Sequence, residues 1–279
     1  MKSGLYIVAT PIGNLGDISP RAVETLSEAD VIACEDTRIS KKLLSLLGVS
    51  LNKTFLTLHD HNESERLQQI ISLITEEGKS IALISDAGSP LISDPGYKLI
   101  RECRRHGVAV TTLPGCCALI CALQLSGLPT NRFMFAGFIP NKDKARAETF
   151  SSVKDIDATI VFYETANRIV KTLAVAAEVF GGRELAVARE ITKMYEECLN
   201  GTAEELIEHF SKQEPRGEMV LMISPPDKTE KISETDVEAL LREKLKNMSV
   251  KSAVRDLVDS CGLNKNDVYE LALKIKNEQ

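Results

Sequence analysis

Residues 1–22 read MKSGLYIVATPIGNLGDISPRA, and this stretch decides the fold. An apolar run, Leu5 to Ala9, stops at Thr10-Pro11, and Gly13 and Gly16 follow within six residues. Ser19-Pro20 then opens a helix, with a capping hydroxyl and proline at the first helical position. A strand, a glycine-bearing turn and a helix begin an α/β unit whose turn commonly holds a phosphate or nucleotide. The glycines do not spell G-x-G-x-x-G, and no G-K-[ST] makes a P-loop. The turn must therefore serve some other ligand.

Strand-like runs continue at Val31 to Cys34, Thr54 to Leu58, Ile81 to Ile84 and Val108 to Leu113. Helical patterns lie between them. From Glu63 to Glu76, Leu67, Ile70, Ile71 and Ile74 recur at i, i+3, i+4 and i+7, and Gly78 marks the stop. This alternation predicts an α/β protein with a mainly parallel sheet covered by helices on both faces. After Leu113 a second series follows: strands at Arg132 to Phe138, Thr159 to Tyr163, Glu184 to Ala188 and Glu218 to Ile223. Helices are expected at Ala166 to Phe180 and Ala203 to Phe210. The expected division is an N-terminal α/β domain, 1–117, a second α/β domain, 118–226, and a ligand cleft between them. Pro225-Pro226 starts a linker, and residues 232–279 read as a small helix-turn-helix-like extension with Ser249 as a cap.

With 43% hydrophobic and 27% charged residues the composition is that of a soluble globular protein. Leu5 to Ala9 is too short for a signal peptide, and no apolar run reaches the about 18 residues a membrane span needs. Seven irregularly spaced cysteines suit reduced thiols, so a cytoplasmic enzyme is expected. A net charge of −6 argues against a protein that coats nucleic acid with its whole surface. Basic clusters at Arg101, Arg104, Arg105 and at Lys142, Lys144, Arg146 allow local contact, though such clusters are commonly solvated helix faces.

Each strand of the first series ends in a loop of small or polar residues: Thr10 to Asn14, Glu35 to Arg38, His59 to Asn62, Ser85 to Gly96, and Pro114 to Ala118. In a parallel sheet these loops converge beyond the carboxyl ends of the strands, where ligands bind. Asp86 is placed to meet hydroxyls or a positive group, and Gly115 precedes a helix with open amides. His59 and His61 lack a third ligand of matching spacing, and Cys116, Cys117 and Cys121 form no C-x-x-C pair, so no metal is expected. Cys116, at a helix start, is where a thiol pKa can fall, although a packed small side chain is the plainer reading.

In chain order the motifs VATPIGNLGDIS, ACEDTR, LHDHNE, SDAGSPLISDPG, LPG-x-x-A, GFIP, FYE with Arg168, ARE-x-TK and RGEMVL cover Leu5 to Ile223. Together they resemble the tetrapyrrole methylase family, and within it a branch that methylates small-subunit ribosomal RNA. The resemblance implies two α/β domains with S-adenosylmethionine in the cleft between them, and a homodimer. It implies 2′-O-methylation of a cytidine ribose in the decoding region of 16S rRNA within the small ribosomal subunit. By position, the cofactor would meet Pro11, Gly13, Asp86, Ala87, Gly88, Pro90, Gly115, Cys116, Cys117 and Ala118. From the second domain it would meet Phe162, Tyr163, Ala188, Arg189, Gly217 and Met219. Ser89 stands where the family commonly has threonine, and Cys116-Cys117 replaces a smaller or proline-containing pair. S-adenosylmethionine has no phosphate, which accounts for a glycine turn without a P-loop lysine.

Glu35, Asp36, Asp60, His61 and Glu190 are candidate bases for the ribose hydroxyl proton, and Arg38, Asn62 and Lys193 candidate substrate contacts. Ion pairs with Arg38, Arg189 or Lys193 that merely fix loops are the competing reading of each acid. Two other functions fit the same fold: C-methylation of a porphyrin or corrinoid precursor, and a non-catalytic RNA-binding module.

Overall fold

The computed structural model describes residues 1–59, 63–212, 215–226, 234–261 and 265–277. The first sheet comprises β1 (Gly4–Val8), β2 (Val31–Cys34), β3 (Thr54–Thr57), β4 (Ser80–Ile84) and β5 (Val110–Leu113). Its order is β3-β2-β4-β1-β5 and every pairing is parallel. The connecting helices are α1 (Pro20–Glu28), α2 (Thr37–Leu46), α3 (Glu63–Thr75) and α4 (Tyr97–Arg105). Side chains alternate across the strands. Ile81 and Leu83 therefore pack with Ile70, Ile74, Leu99 and Cys103 of α3 and α4, while Ala82 and Ile84 pack with Leu26 and Leu44 of α1 and α2. Local chemistry sets the helix ends. The Ser19 hydroxyl accepts from the Ala22 amide at 3.1 Å, and Gly78 takes φ +65° where α3 stops.

The chain then passes through α5 (Ala118–Ser126) to a second sheet of β6 (Phe133–Phe138), β7 (Thr159–Thr165), β8 (Leu185–Arg189), β9 (Glu197–Gly201) and β10 (Glu218–Ile223). Its order is β6-β7-β10-β8-β9, with only β6 and β7 parallel. Helices α6 (Asp143–Val153), α7 (Ile169–Phe180) and α8 (Ala203–Lys212) cover one face, where Phe150, Leu173 and Leu206 meet Phe162, Val187 and Leu221. The other face packs Val161, Ala186 and Val220 against Leu119 and Leu123 of α5. Ile12, from the loop after β1, also packs there, so the two sheets are joined within one compact unit, residues 1–226.

Three differences from the sequence reading stand out. Strand β9 and helix α6 were not foreseen. Arg146, grouped above with the surface cations, is a core residue: its side chain is 1% exposed and pairs with Asp143 at 2.7 Å. The Lys142–Arg146 cluster is therefore not a solvated face as a whole.

Residues 227–279 form a separate compact unit. Within it α9 (Glu234–Leu245), α10 (Val250–Cys261) and α11 (Lys265–Asn277) bury Leu241, Ala253, Leu257, Ala272 and Ile275. Ser249 caps α10, its hydroxyl accepting from the Ser252 amide at 3.2 Å. No helix among the described residues is long and apolar enough to cross a membrane.

Candidate active site

Strands β1 and β4 are neighbours at the middle of the first sheet, yet the chain leaves them toward opposite faces, through α1 and α4. Such a topological switch opens a crevice at the carboxyl ends of the strands. The crevice is knitted from its own loops. Thr10 N donates to Gly88 O at 2.8 Å and Gly88 N returns to Thr10 O at 3.0 Å. The buried Thr10 hydroxyl donates to Ser85 O at 3.1 Å, and Ser89 Oγ donates to Cys116 O at 2.9 Å. Gly88 holds φ +82°, a conformation that glycine adopts without steric cost. At Gly115 the constraint is space, because a Cβ would stand 2.7 Å from the Cβ of Ala9.

The second sheet closes the other side. A Cβ on Gly13 would lie 2.8 Å from Lys193 Cγ and 2.9 Å from Thr192 Oγ1, so the first loop presses directly on the turn after β8. Between the two halves lies a cavity of about 470 Å³. Its floor is Asp86, Ala87, Gly88, Cys117 and Ala118, and its roof Tyr163, Glu190, Lys193, Gly217 and Met219, with Glu35 at one side. Non-glycine residues with positive φ occur only in the two loops that face each other across it: Leu91 (73°) and Ser93 (65°), and Glu190 (51°) and Thr192 (65°), among the described residues. Such backbone costs of order 1–3 kcal/mol per residue and gathers where a site must be held in shape.

The cavity is acidic. Glu35, Asp86, Asp94, Glu164, Glu190 and Glu218 line it against one cationic side chain, Lys193. Burial raises the Asp86 carboxyl above the usual range, opposed by the Asp36 amide that donates to its Oδ1 at 3.1 Å. Asp94 goes further, to about 7, through burial and then the negative charge of Glu35, with Asp86 and Glu218 adding to it and the Ser85 hydroxyl opposing. Burial likewise raises the Tyr163 phenol, which keeps its proton. Its ring meets Phe135 and Phe138 edge-on at 4.8 and 5.4 Å. Glu164 is fully buried and held by the Thr165 amide at 2.7 Å, Arg168 Nε at 2.7 Å and the Thr172 hydroxyl at 2.6 Å.

Several residues nominated from sequence lie beside the cavity rather than on its surface. Pro90 lines a neighbouring apolar groove with Ile120, Phe133 and Phe135. Cys116 contributes its carbonyl to Ser89, while its thiol faces Asp17 O at 3.6 Å. Burial raises that thiol's pKa, the reverse of the lowering considered for a helix start. Phe162 points away into the helical face, 5.3 Å from the Phe150 ring, and Ala188 is fully buried beneath α5. Arg189 pairs with Glu197 at 2.6 Å. Asp36 caps α2 and binds Arg38 at 2.6 Å, which holds its carboxyl down at about 2. Glu190 pairs with Lys193 at 2.9 Å. Pro11 and Gly115 are not among the lining residues, and Gly115 packs against Ala9. Asp60, His61 and Asn62 fall outside the described residues. No cluster suited to a metal ion occurs among the described residues.

Sequence reasoning passed over Asp94, Glu218 and Phe138. All three stand inside quoted motifs, SDAGSPLISDPG, RGEMVL and GFIP, and a second Asp-x-Gly turn eight residues after the one at Asp86 was the available signal.

The chemistry of this lining suits a cationic ligand of moderate size and repels a phosphate. No cap side chain occupies the first turn of α5, whose Leu119 amide faces the Tyr163 hydroxyl. The fold and the site together define an acidic ligand cleft between two α/β layers. The family description "Tetrapyrrole (Corrin/Porphyrin) Methylases" matches residues 4–207, and "RsmI C-terminal HTH domain" matches residues 231–276. The chain belongs to the tetrapyrrole methylase family, alongside the ribosomal RNA small subunit methyltransferases I. It is 48% identical over 276 residues to the ribosomal RNA small subunit methyltransferase I of Erythrobacter litoralis, covering 99% of this chain and 96% of that one. The protein of the same name from Escherichia coli O157:H7 is 40% identical over 273 residues, covering 97% and 94%. Among solved structures, a diphthine synthase superposes with a TM-score of 0.61 at 18% identity, over 79% of this chain and 89% of that one. The uroporphyrin-III C-methyltransferase of Thermus thermophilus, complexed with S-adenyl homocysteine, gives 0.53 at 18% identity, over 79% and 97%. At such identities these two likenesses concern the fold.

Proposed function

We propose that the protein transfers the methyl group of S-adenosylmethionine to the 2′-oxygen of a cytidine ribose in the decoding region of 16S rRNA. The reading rests on the 48% identity to a small-subunit rRNA methyltransferase I, which runs through both walls of the cavity and the C-terminal helices. The acidic lining supports it, since the sulfonium and ammonium of the cofactor are both cations. When bound, the cofactor supplies an activated methyl carbon. The backbone of Ala87-Gly88, Cys117-Ala118 and Gly217 to Met219 would hold it, with Asp86 and Tyr163 supplying polar contacts.

The protein's own part is to align and to accept a proton. Holding the ribose oxygen in line can supply about 7–11 kcal/mol of the barrier. Asp94, with a carboxyl pKa of about 7, is matched to take the 2′-hydroxyl proton near neutral pH, work worth about 10²–10⁴-fold. Burial, and after it the charges of Glu35 and Asp86, keep Asp94 at that poise. Arg38, with its side chain 89% exposed at the start of α2, meets the RNA backbone outside the cavity, and Lys193 meets it from the cavity wall. The protein acts as a homodimer in the cytoplasm, where small subunits are found.

The test offers methyl-labelled S-adenosylmethionine together with small ribosomal subunits lacking the modification, or with a porphyrin precursor. Label in the RNA is expected. Label in the tetrapyrrole alone would transfer the site to the C-methylation reading, and cofactor binding without transfer would leave only an RNA-binding module.

A further inference from the structure

Strands β8 and β9 form a hairpin in which Arg189 pairs with Glu197, and the loop between them, residues 190–196, lends Glu190, Ile191 and Lys193 to the cavity wall. Met194 and Tyr195, at its tip, are 89% and 72% exposed. They are the two most exposed large hydrophobic side chains among the described residues, and they are neighbours. Single exposed apolar residues need no explanation, but an adjacent pair beside a site does.

The loop that carries them is braced by its own hydrogen bonds. Glu190 and Thr192 hold positive φ. The Lys193 amide donates to Glu190 O at 2.9 Å, the Glu196 amide to Lys193 O at 3.1 Å, and the Thr192 amide to Glu196 Oε2 at 2.7 Å. Gly13 packs against its inner side. Strained, cross-braced backbone thus pushes a flat ring and a polarizable thioether into water. They gain nothing from folding there.

What they are shaped to meet follows from the cavity. An interior with six carboxylates to one ammonium cannot draw in a polyanion by charge. A ribose can reach it only if its nucleotide leaves the helical stack, and the freed base then needs an uncharged surface outside. We propose that the Met194–Tyr195 tip is a stacking platform for an unpaired RNA base at the entrance to the methylation cavity. The proposal rests on the RNA reading above. It gives the hairpin loop a positioning role: the ring holds the base, and the base fixes the ribose at the cavity mouth. Stacking on an aromatic ring tolerates any base, so the platform grips without reading sequence.

The chain contains no tryptophan, so Tyr195→Trp places a single indole at the tip. Its fluorescence in the full-length protein should be quenched saturably by a single-stranded RNA oligonucleotide and left unchanged by inorganic polyphosphate. With unmodified small subunits as substrate, Tyr195→Ala should raise KM for RNA about tenfold or more. It should leave the affinity for S-adenosylmethionine unchanged, and Tyr195→Phe should restore the wild-type KM. An unquenched indole while filter binding shows RNA retained, or an unchanged KM in Tyr195→Ala, would overturn the platform alone. Emission that shifts with protein concentration in the absence of RNA would overturn it in favour of contact with a second copy. Wild-type protein that methylates no RNA would overturn the functional reading, and the platform with it.

Discussion

At Asp94 the backbone does something a simple turn would not need. Leu91 and Ser93 both hold positive φ just before it, and the carboxyl they deliver faces Glu35, Asp86 and Glu218 in one cavity. As a base, Asp94 works only when ionised, so the rate should rise with pH through about 7. Asp94→Asn should remove that limb and lower kcat by about 10²-fold or more; a variant with the limb intact would clear Asp94 of the role. The same shift acts on stability with a definite sign. A folded-state pKa of about 7 against an ordinary 3.8 means a contribution present below 3.8 and lost as pH rises through about 7. Thermal melts should therefore show Asp94→Asn gaining on the wild type across that window. Asp94 stands in plain view in SDPG, yet nothing in the sequence distinguishes it from a turn-forming aspartate. Burial beside Glu35, 59 positions earlier in the chain, is a tertiary fact. Asp36 is the converse, a carboxylate at a strand end whose ion pair with Arg38 was open to sequence reasoning as the competing reading and whose cap on α2 appears in three dimensions.

Among the elements, β7 and α7 are locked together by one buried carboxylate. Glu164, one residue before the end of β7, has no exposed surface and receives Arg168, Thr172 and the Thr165 amide. Arg168→Ala would strand that charge, and chemical denaturation should register a loss of about 3–5 kcal/mol. A loss under about 1 kcal/mol would mean that the ion pair does not lock the two elements. The helix that opens the site makes a different demand. Gly115→Ala sets a methyl 2.7 Å from Ala9, on a strand end that cannot retreat, so the variant should lose cofactor affinity and stability together by calorimetry. The parallel first sheet was legible because each strand is a short apolar run ending in a polar loop, with a helical period between. Strand β9, Glu-Cys-Leu-Asn-Gly, has neither apolar alternation nor β-formers in number, and pairing with β8 alone defines it. The antiparallel order of the second sheet was hidden for the same reason.

Over the whole molecule, charge and substrate pull apart. A chain of net charge −6 with an acidic cavity has to bind a polyanion, so RNA contact falls to the rim and to local cations. Binding should then depend only weakly on salt, with a slope that counts few phosphates, measurable by filter binding between low and physiological ionic strength. Among the described residues, those that line the cavity run from Ile12 to Val220. Removing residues 227–279 should accordingly leave the affinity for S-adenosylmethionine unchanged in a calorimetric titration. The central claim is the atom that receives the methyl group. Alkaline hydrolysis of the labelled 16S rRNA tests it directly, because a 2′-O-methyl ribose blocks cleavage at its own linkage. Label is expected in an alkali-resistant dinucleotide that contains cytidine. Label released in mononucleotides would place the methyl on a base and contradict it.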